Sequence, residues 1–137
     1  MWWMYALLSA LFAALTAVLA KVGVKGVNSD LATAIRTVVI LVVAWGLVIS
    51  RGGLGQLLLL SRTNYVFLVL SGVATGLSWL FYFRALQLGN VSQVAPVDKL
   101  SVAIAIVLSV LFLGEVLTWK TVLGAALIIG GTLVLIL

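Results

Sequence analysis

Apolar positions along this chain fall into five long runs, and the polar residues collect in the gaps "KGVNS", "RGGLGQLLLLSRT", "QLGN" and "GEVL". A helix crosses the hydrocarbon core of a bilayer with about 20 consecutive apolar residues. Each run meets that length. The pattern predicts spanning helices over about Trp3–Val24, Asp30–Ser50, Asn64–Leu86, Val91–Leu113 and Thr118–Leu137. Only the second gap is long enough for a short interfacial helix, with Leu57 to Leu60 as its greasy side. An odd number of spans puts the two termini on opposite sides of the bilayer.

Composition turns this pattern into a class. The chain has 137 residues, 65% hydrophobic and 8% charged, with a mean hydropathy of +1.37. Soluble domains carry roughly 25% charged residues, and no soluble fold of this size hides so much apolar surface. The reading is an all-α integral membrane protein with a single five-helix domain over residues 1–137 and no soluble domain. No charge precedes Lys21, and the first run is too long for a signal-peptide core, so it reads as a span. Cysteine and histidine are absent, which excludes disulfides, thiolate chemistry, Cys/His metal sites and imidazole catalysis. A soluble enzyme is excluded, no nucleophile–base pair suggests an intramembrane one, and no cofactor is expected. The net charge of +5 does not point to nucleic acid, because the basic residues sit singly at helix ends, where they serve orientation and headgroup contact.

Helices in lipid associate through close packing of small residues. The first helix offers Ser9, Ala13, Thr16 and Ala20 at helical spacing, the third offers Gly72 and Gly76, and the fifth Gly124, Gly130 and Gly131. The glycines are read as packing positions. A second row on the third helix, Ser71, Thr75, Ser78 and Tyr82 with Trp79 on its flank, serves packing or the lining of a wet cavity. Trp2, Trp3, Tyr65 and Trp119 are read as interfacial anchors.

Lys21, Lys25, Arg51, Arg62, Glu115 and Lys120 lie in or beside loops, and Arg84 reaches the headgroups from the last turn of its helix. Glu115 is expected to bind backbone amides near a helix end. Three charges lie deeper. Arg36 is about two turns inside the second helix, and Asp98 and Lys99 are about two turns inside the fourth. Each costs roughly 2.5–3.5 kcal/mol near a span centre, and an ionisable residue at depth marks function by default. Consecutive helical positions diverge by about 100°, so Asp98 and Lys99 are expected to face apart. Lys99 then shares a face with Ser92, and Asp98 one with Ser101. Each charge is expected to need a partner on another helix, either Arg36 for Asp98 or a lysine of another subunit, or else to meet substrate directly. Pro96 lacks an N–H, so the Ser92 carbonyl loses its helical partner and a kink is expected there. Charge, freed carbonyl and kink within one turn describe a polar site inside an oily helix.

These residues also carry a resemblance. "FRAL", "VSQVAPV", "LGE" and "GAALIIGGTLVL", in that order and spacing, resemble the EamA domain of the drug/metabolite transporter superfamily. Arg36 in "ATAIRTVVILVVAW" looks like the arginine found early in the family's second helix. Most members carry two such five-helix units as an inverted repeat; this chain has one. The resemblance implies a cavity lined mainly by helices one, three and four, with the fifth peripheral, and export or import of small metabolites. "PVDKLS" departs from the more apolar sequence usual after that proline.

The expected function is therefore a secondary transporter for a small polar or amphipathic metabolite, working by alternating access in the cell (inner) membrane. Asp98 is the candidate for a coupling proton or a substrate amine. Lys99 and Arg36 would meet a substrate carboxylate or phosphate, and Trp79 and Tyr82 would offer apolar and cation–π surface. Alternatives are a non-transporting membrane subunit or one half of a heterodimeric transporter. The assembly expected is an inverted homodimer. Arg51, Arg62 and Lys120 fall on the N-terminal side, and Lys21, Lys25 and Arg84 on the other; adding Arg36 and Lys99 tilts this balance only mildly. A chain so nearly balanced inserts both ways, and a two-fold axis in the membrane plane would then supply the second repeat.

Overall fold

The computed structural model describes all residues 1–137, and they form helices joined by short turns, with no strand. The elements are α1 (Trp2–Gly23), α2 (Ser29–Ser50), a 3-10 helix (Gly53–Leu59), α3 (Arg62–Leu88), α4 (Val91–Asp98), α5 (Leu100–Leu113) and α6 (Trp119–Ile136). α4 and α5 together make the fourth of five membrane-spanning segments, 18 to 27 residues long. That is the multi-pass, all-α architecture the apolar runs predict. Each span's apolar window is at most 11% buried within the chain, because side chains that face lipid need no protein cover.

Local signals explain the boundaries. The Asn28 side chain accepts from the amides of Asp30 and Leu31 (2.8 and 3.3 Å) and so starts α2, with Asp30 in the first turn suiting the helix dipole. Gly114 ends α5 with φ +68°, a conformation side chains other than glycine rarely take. Thr118 caps α6, its hydroxyl oxygen accepting from the Thr121 amide at 3.2 Å. The capping role expected of Glu115 therefore belongs to Thr118. A hydroxyl sits at the N-cap itself, whereas exposed Glu115 lies in the linker before it.

The chain divides into two compact units, residues Ala20–Gln87 and residues Met1–Leu19 with Leu88–Leu137. In the first, the Tyr65 hydroxyl donates to the Leu57 carbonyl (2.9 Å) and ties the 3-10 helix to α3. Its buried side chains include Ala20, Val24, Ser29, Thr33, Phe83 and Leu86. In the second, α6 packs on α4 and α5, and Thr132 is buried.

The small-residue rows are used sparingly. Of the row on α1, Ser9 and Ala13 are exposed, Thr16 is half-buried and Ala20 is buried, with Ala17 buried beside it. A Cβ built on Gly72, Gly76, Gly124, Gly130 or Gly131 would meet nothing within 4 Å. Within one chain these glycines bring no helices together, contrary to the packing expected of them. Their faces are open.

Candidate functional site

The fourth span is broken, and the break carries its charges. Pro96 stays inside α4, and three residues later Lys99 keeps right-handed helical dihedrals (φ −72°, ψ −10°) while the regular hydrogen-bond ladder is interrupted. The proline has no amide hydrogen to return to Ser92. The ladder then tightens, with the Lys99 amide donating to the Pro96 carbonyl and the Val102 amide to the Lys99 carbonyl, both at 3.0 Å. By helix rise the break lies about 12 Å from the start of the span. The irregularity thus falls at Lys99, three residues after Pro96.

Asp98 and Lys99 pair with each other. The Lys99 ammonium lies 3.2 Å from Oδ2 of Asp98, with the two side chains 56% and 36% exposed. This overturns the expectation that each needs a partner on another helix. The 100° argument holds for short side chains on a continuous helix. A lysine with four methylenes at a helix break reaches its neighbour. Ser92 and Ser101 are exposed, and Pro96 is half-buried.

One residue that sequence reasoning passed over holds the break in place. Thr132 of α6 is 3% exposed, and its hydroxyl donates to the Ile128 carbonyl (2.8 Å) and the Pro96 carbonyl (3.2 Å). The last helix, expected to be peripheral and without chemistry, supplies the polar contact to the proline turn. The signal was present: Thr132 is a lone hydroxyl amid "LIIGGTLVLIL".

In the other unit Arg36 solves its burial by aromatic faces. Its guanidinium carbon lies 5.1 Å from the Trp79 ring centroid and 4.5 Å from that of Phe83. Phe83 is 1% exposed and meets Tyr82 edge to face, centroids 6.1 Å apart. Trp79 and Phe83 are four residues apart on α3, so they present one face to α2. The sequence reading kept Trp79 and Tyr82 for substrate and missed Phe83. Phe83 looked like any other apolar residue in an oily helix.

The hydroxyl row is uncovered. Ser71, Thr75 and Ser78 are exposed, Trp79 and Tyr82 half-buried, and the Thr75 hydroxyl donates back to the Ser71 carbonyl at 2.9 Å. No group of three or more His, Cys, Asp or Glu side chains lies together to hold a metal. Residues Leu88–Leu137 hold a carboxylate and an ammonium in contact, and residues Ala20–Gln87 hold a guanidinium on aromatic faces and a row of exposed hydroxyls.

Comparison with known proteins places these features in a lineage. The profile of the EamA-like transporter family matches residues 1–137. A Sinorhizobium sp. protein described as an uncharacterized transporter in cobO 3'region is 54% identical over 134 residues, covering 98% of this chain and 95% of that protein. No solved structure gives a significant match. The chain belongs to the EamA-like transporter family.

Proposed function

We propose that the chain is a secondary transporter for a small polar or amphipathic metabolite, working by alternating access as an inverted homodimer in the cell membrane. The observation that carries this reading is the broken fourth span, where Pro96, Asp98 and Lys99 fall within one turn. Discontinuous spanning helices that offer charge and irregular backbone at depth are where transporters bind substrate and coupling ions. Asp98 takes the coupling proton or a substrate amine. When it does, Lys99 is released from its pair and can meet a substrate carboxylate or phosphate. Arg36, on Trp79 and Phe83, supplies a fixed positive charge. Ser71, Thr75, Ser78, Tyr82, Ser92 and Ser101 line the path.

The inverted pair is supported by three observations. The residues form one five-helix unit, and many transporters that work by alternating access pair two inverted repeats. A relative matched over 95% of its length is about equally short. The faces of Gly72 and Gly76 are open within the chain and available to a second copy.

With no native cysteine, single-cysteine labelling tests both parts. Cysteines replacing Ser71, Thr75 or Ser78 are expected to react with a membrane-impermeant thiol reagent in reconstituted vesicles. Trp2→Cys in intact cells is expected to label from both sides in roughly equal amounts. Unreactive Ser71, Thr75 and Ser78 positions would favour a non-transporting subunit. One-sided labelling at Trp2 would exclude the inverted pair and leave a heterodimeric half or a parallel dimer.

A further inference from the structure

Within residues Ala20–Gln87, the last turns of α1 and α3 border a cavity of about 310 Å³ lined by Lys21, Val24, Lys25, Gly26, Leu86 and Gln87. Two helix C-termini meet there, and carbonyls near helix ends lack intrahelical partners. The chain answers them with side chains. The Lys21 ammonium donates to the Leu86 carbonyl at 2.6 Å, and the Gln87 amide donates to the Val24 and Val27 carbonyls at 3.2 and 2.5 Å. The side-chain oxygen of Gln87 in turn accepts from Arg84 at 3.1 Å. Lys21 is thereby held half-buried in the wall. Gly26 closes the turn with φ +70°, and a Cβ there would meet nothing within 4 Å.

The lining holds two ammonium groups and no carboxylate. The acid of this unit, Asp30, lies in the first turn of α2 beside Ser29. Loops of a membrane protein place single lysines at the headgroups without a cavity; here two lysines line one.

We propose that this cavity binds a phosphate group, and that its occupant is the headgroup of an anionic phospholipid. Basic recesses between spanning helices at the membrane surface recognise such headgroups, each lysine or arginine near the surface adding about 1 kcal/mol. The recess lies at span ends, where lipid phosphates are. Val22, next in sequence to Lys21 of the lining, is 65% exposed, apolar surface suited to the acyl chains of the same lipid. A soluble phosphate shares the polar chemistry but has no use for that apolar rim. The site is independent of the transport reading, because it uses neither Asp98 nor Lys99.

Native mass spectrometry of the purified full chain, titrated with phosphatidylglycerol, phosphatidylcholine or inorganic phosphate, tests it. Phosphatidylglycerol is expected to bind at least about tenfold more tightly than phosphatidylcholine, and Lys25→Gln to weaken it about fivefold. Lys25 is exposed in the turn, so its loss leaves the fold intact. Arg51→Gln removes the same charge at the opposite ends of the helices and is expected to change nothing. Binding of inorganic phosphate that Lys25→Gln abolishes, with no preference between the lipids, would overturn the lipid assignment in favour of a soluble anion. Equal losses in Lys25→Gln and Arg51→Gln, or no anionic preference at all, would overturn the site.

Discussion

Arg36 and Lys99 both lie about two turns inside a span, and the fold handles them in opposite ways. Arg36 rests on the faces of Trp79 and Phe83, one of them fully buried. A desolvated cation–π contact of that kind is worth about 2 kcal/mol, and none of its members changes charge near neutral pH. Lys99 rests on Asp98 across a helix break, both side chains well exposed. Exposed ion pairs contribute about 0–1 kcal/mol, and protonating the aspartate removes even that. One cation is clamped; the other is held by a contact that a proton can cancel. The contrast extends to whole units. Residues Ala20–Gln87 carry six basic residues against Asp30 and so the entire net charge of +5, while Lys99 and Lys120 balance Asp98 and Glu115 elsewhere. A clamp suits a part that keeps its shape, and a cancellable contact suits a part that moves.

The clamp is the place to look for the largest effect on stability. Phe83→Ala removes a 1%-exposed ring and half of the seat of Arg36, and is expected to cost about 3 kcal/mol. Phe81→Ala, two residues away and 74% exposed, is expected to cost under about 0.5 kcal/mol. Unfolding of detergent-solubilised protein by dodecyl sulfate measures both. Equal effects would mean that Arg36 is not clamped and would erase the contrast.

The break is expected to respond less. Thr132→Val keeps the shape of the side chain and deletes the hydroxyl that Pro96 and Ile128 share. Hydrogen bonds between membrane helices average about 0.6 kcal/mol, so the same unfolding titration should register roughly that loss. A loss as large as that of Phe83→Ala would make the break a rigid element and count against the proposal that it moves during transport.

How far the sequence foretold all this depends on the residue. The spans were legible because lipid demands about 20 apolar residues in a row, and nothing else in a chain looks like that. Arg36, Asp98, Lys99 and Pro96 stood out because charge and helix breakers are costly in lipid. Phe83 did not, since it lies off the hydroxyl row of α3, and an apolar side chain that faces protein looks in sequence like one that faces lipid. The Asp98–Lys99 pair was missed for a different reason. Neighbouring positions on a helix point apart, but the four methylenes of Lys99 reach back to Asp98 all the same. Thr132 and Gln87 were visible as lone polar residues near apolar stretches, but their acceptors are backbone carbonyls, which sequence does not display.

Asp98, beside Lys99 in the fourth span, is the proposed link between protonation of the chain and passage of substrate. Asp98→Asn fixes the side chain in its neutral form and leaves Lys99 without its partner. The purified variant and the parent chain would be reconstituted in vesicles loaded with a pH-sensitive dye, and challenged one at a time with amino acids, nucleosides, amines and phosphate esters. At least one of these compounds is expected to drive proton flux through the parent chain. Flux through Asp98→Asn is expected to fall at least about tenfold, as loss of a proton-transferring group does, while its unfolding titration stays within about 1 kcal/mol of the parent. Undiminished proton-coupled flux in a folded Asp98→Asn protein would contradict the claim.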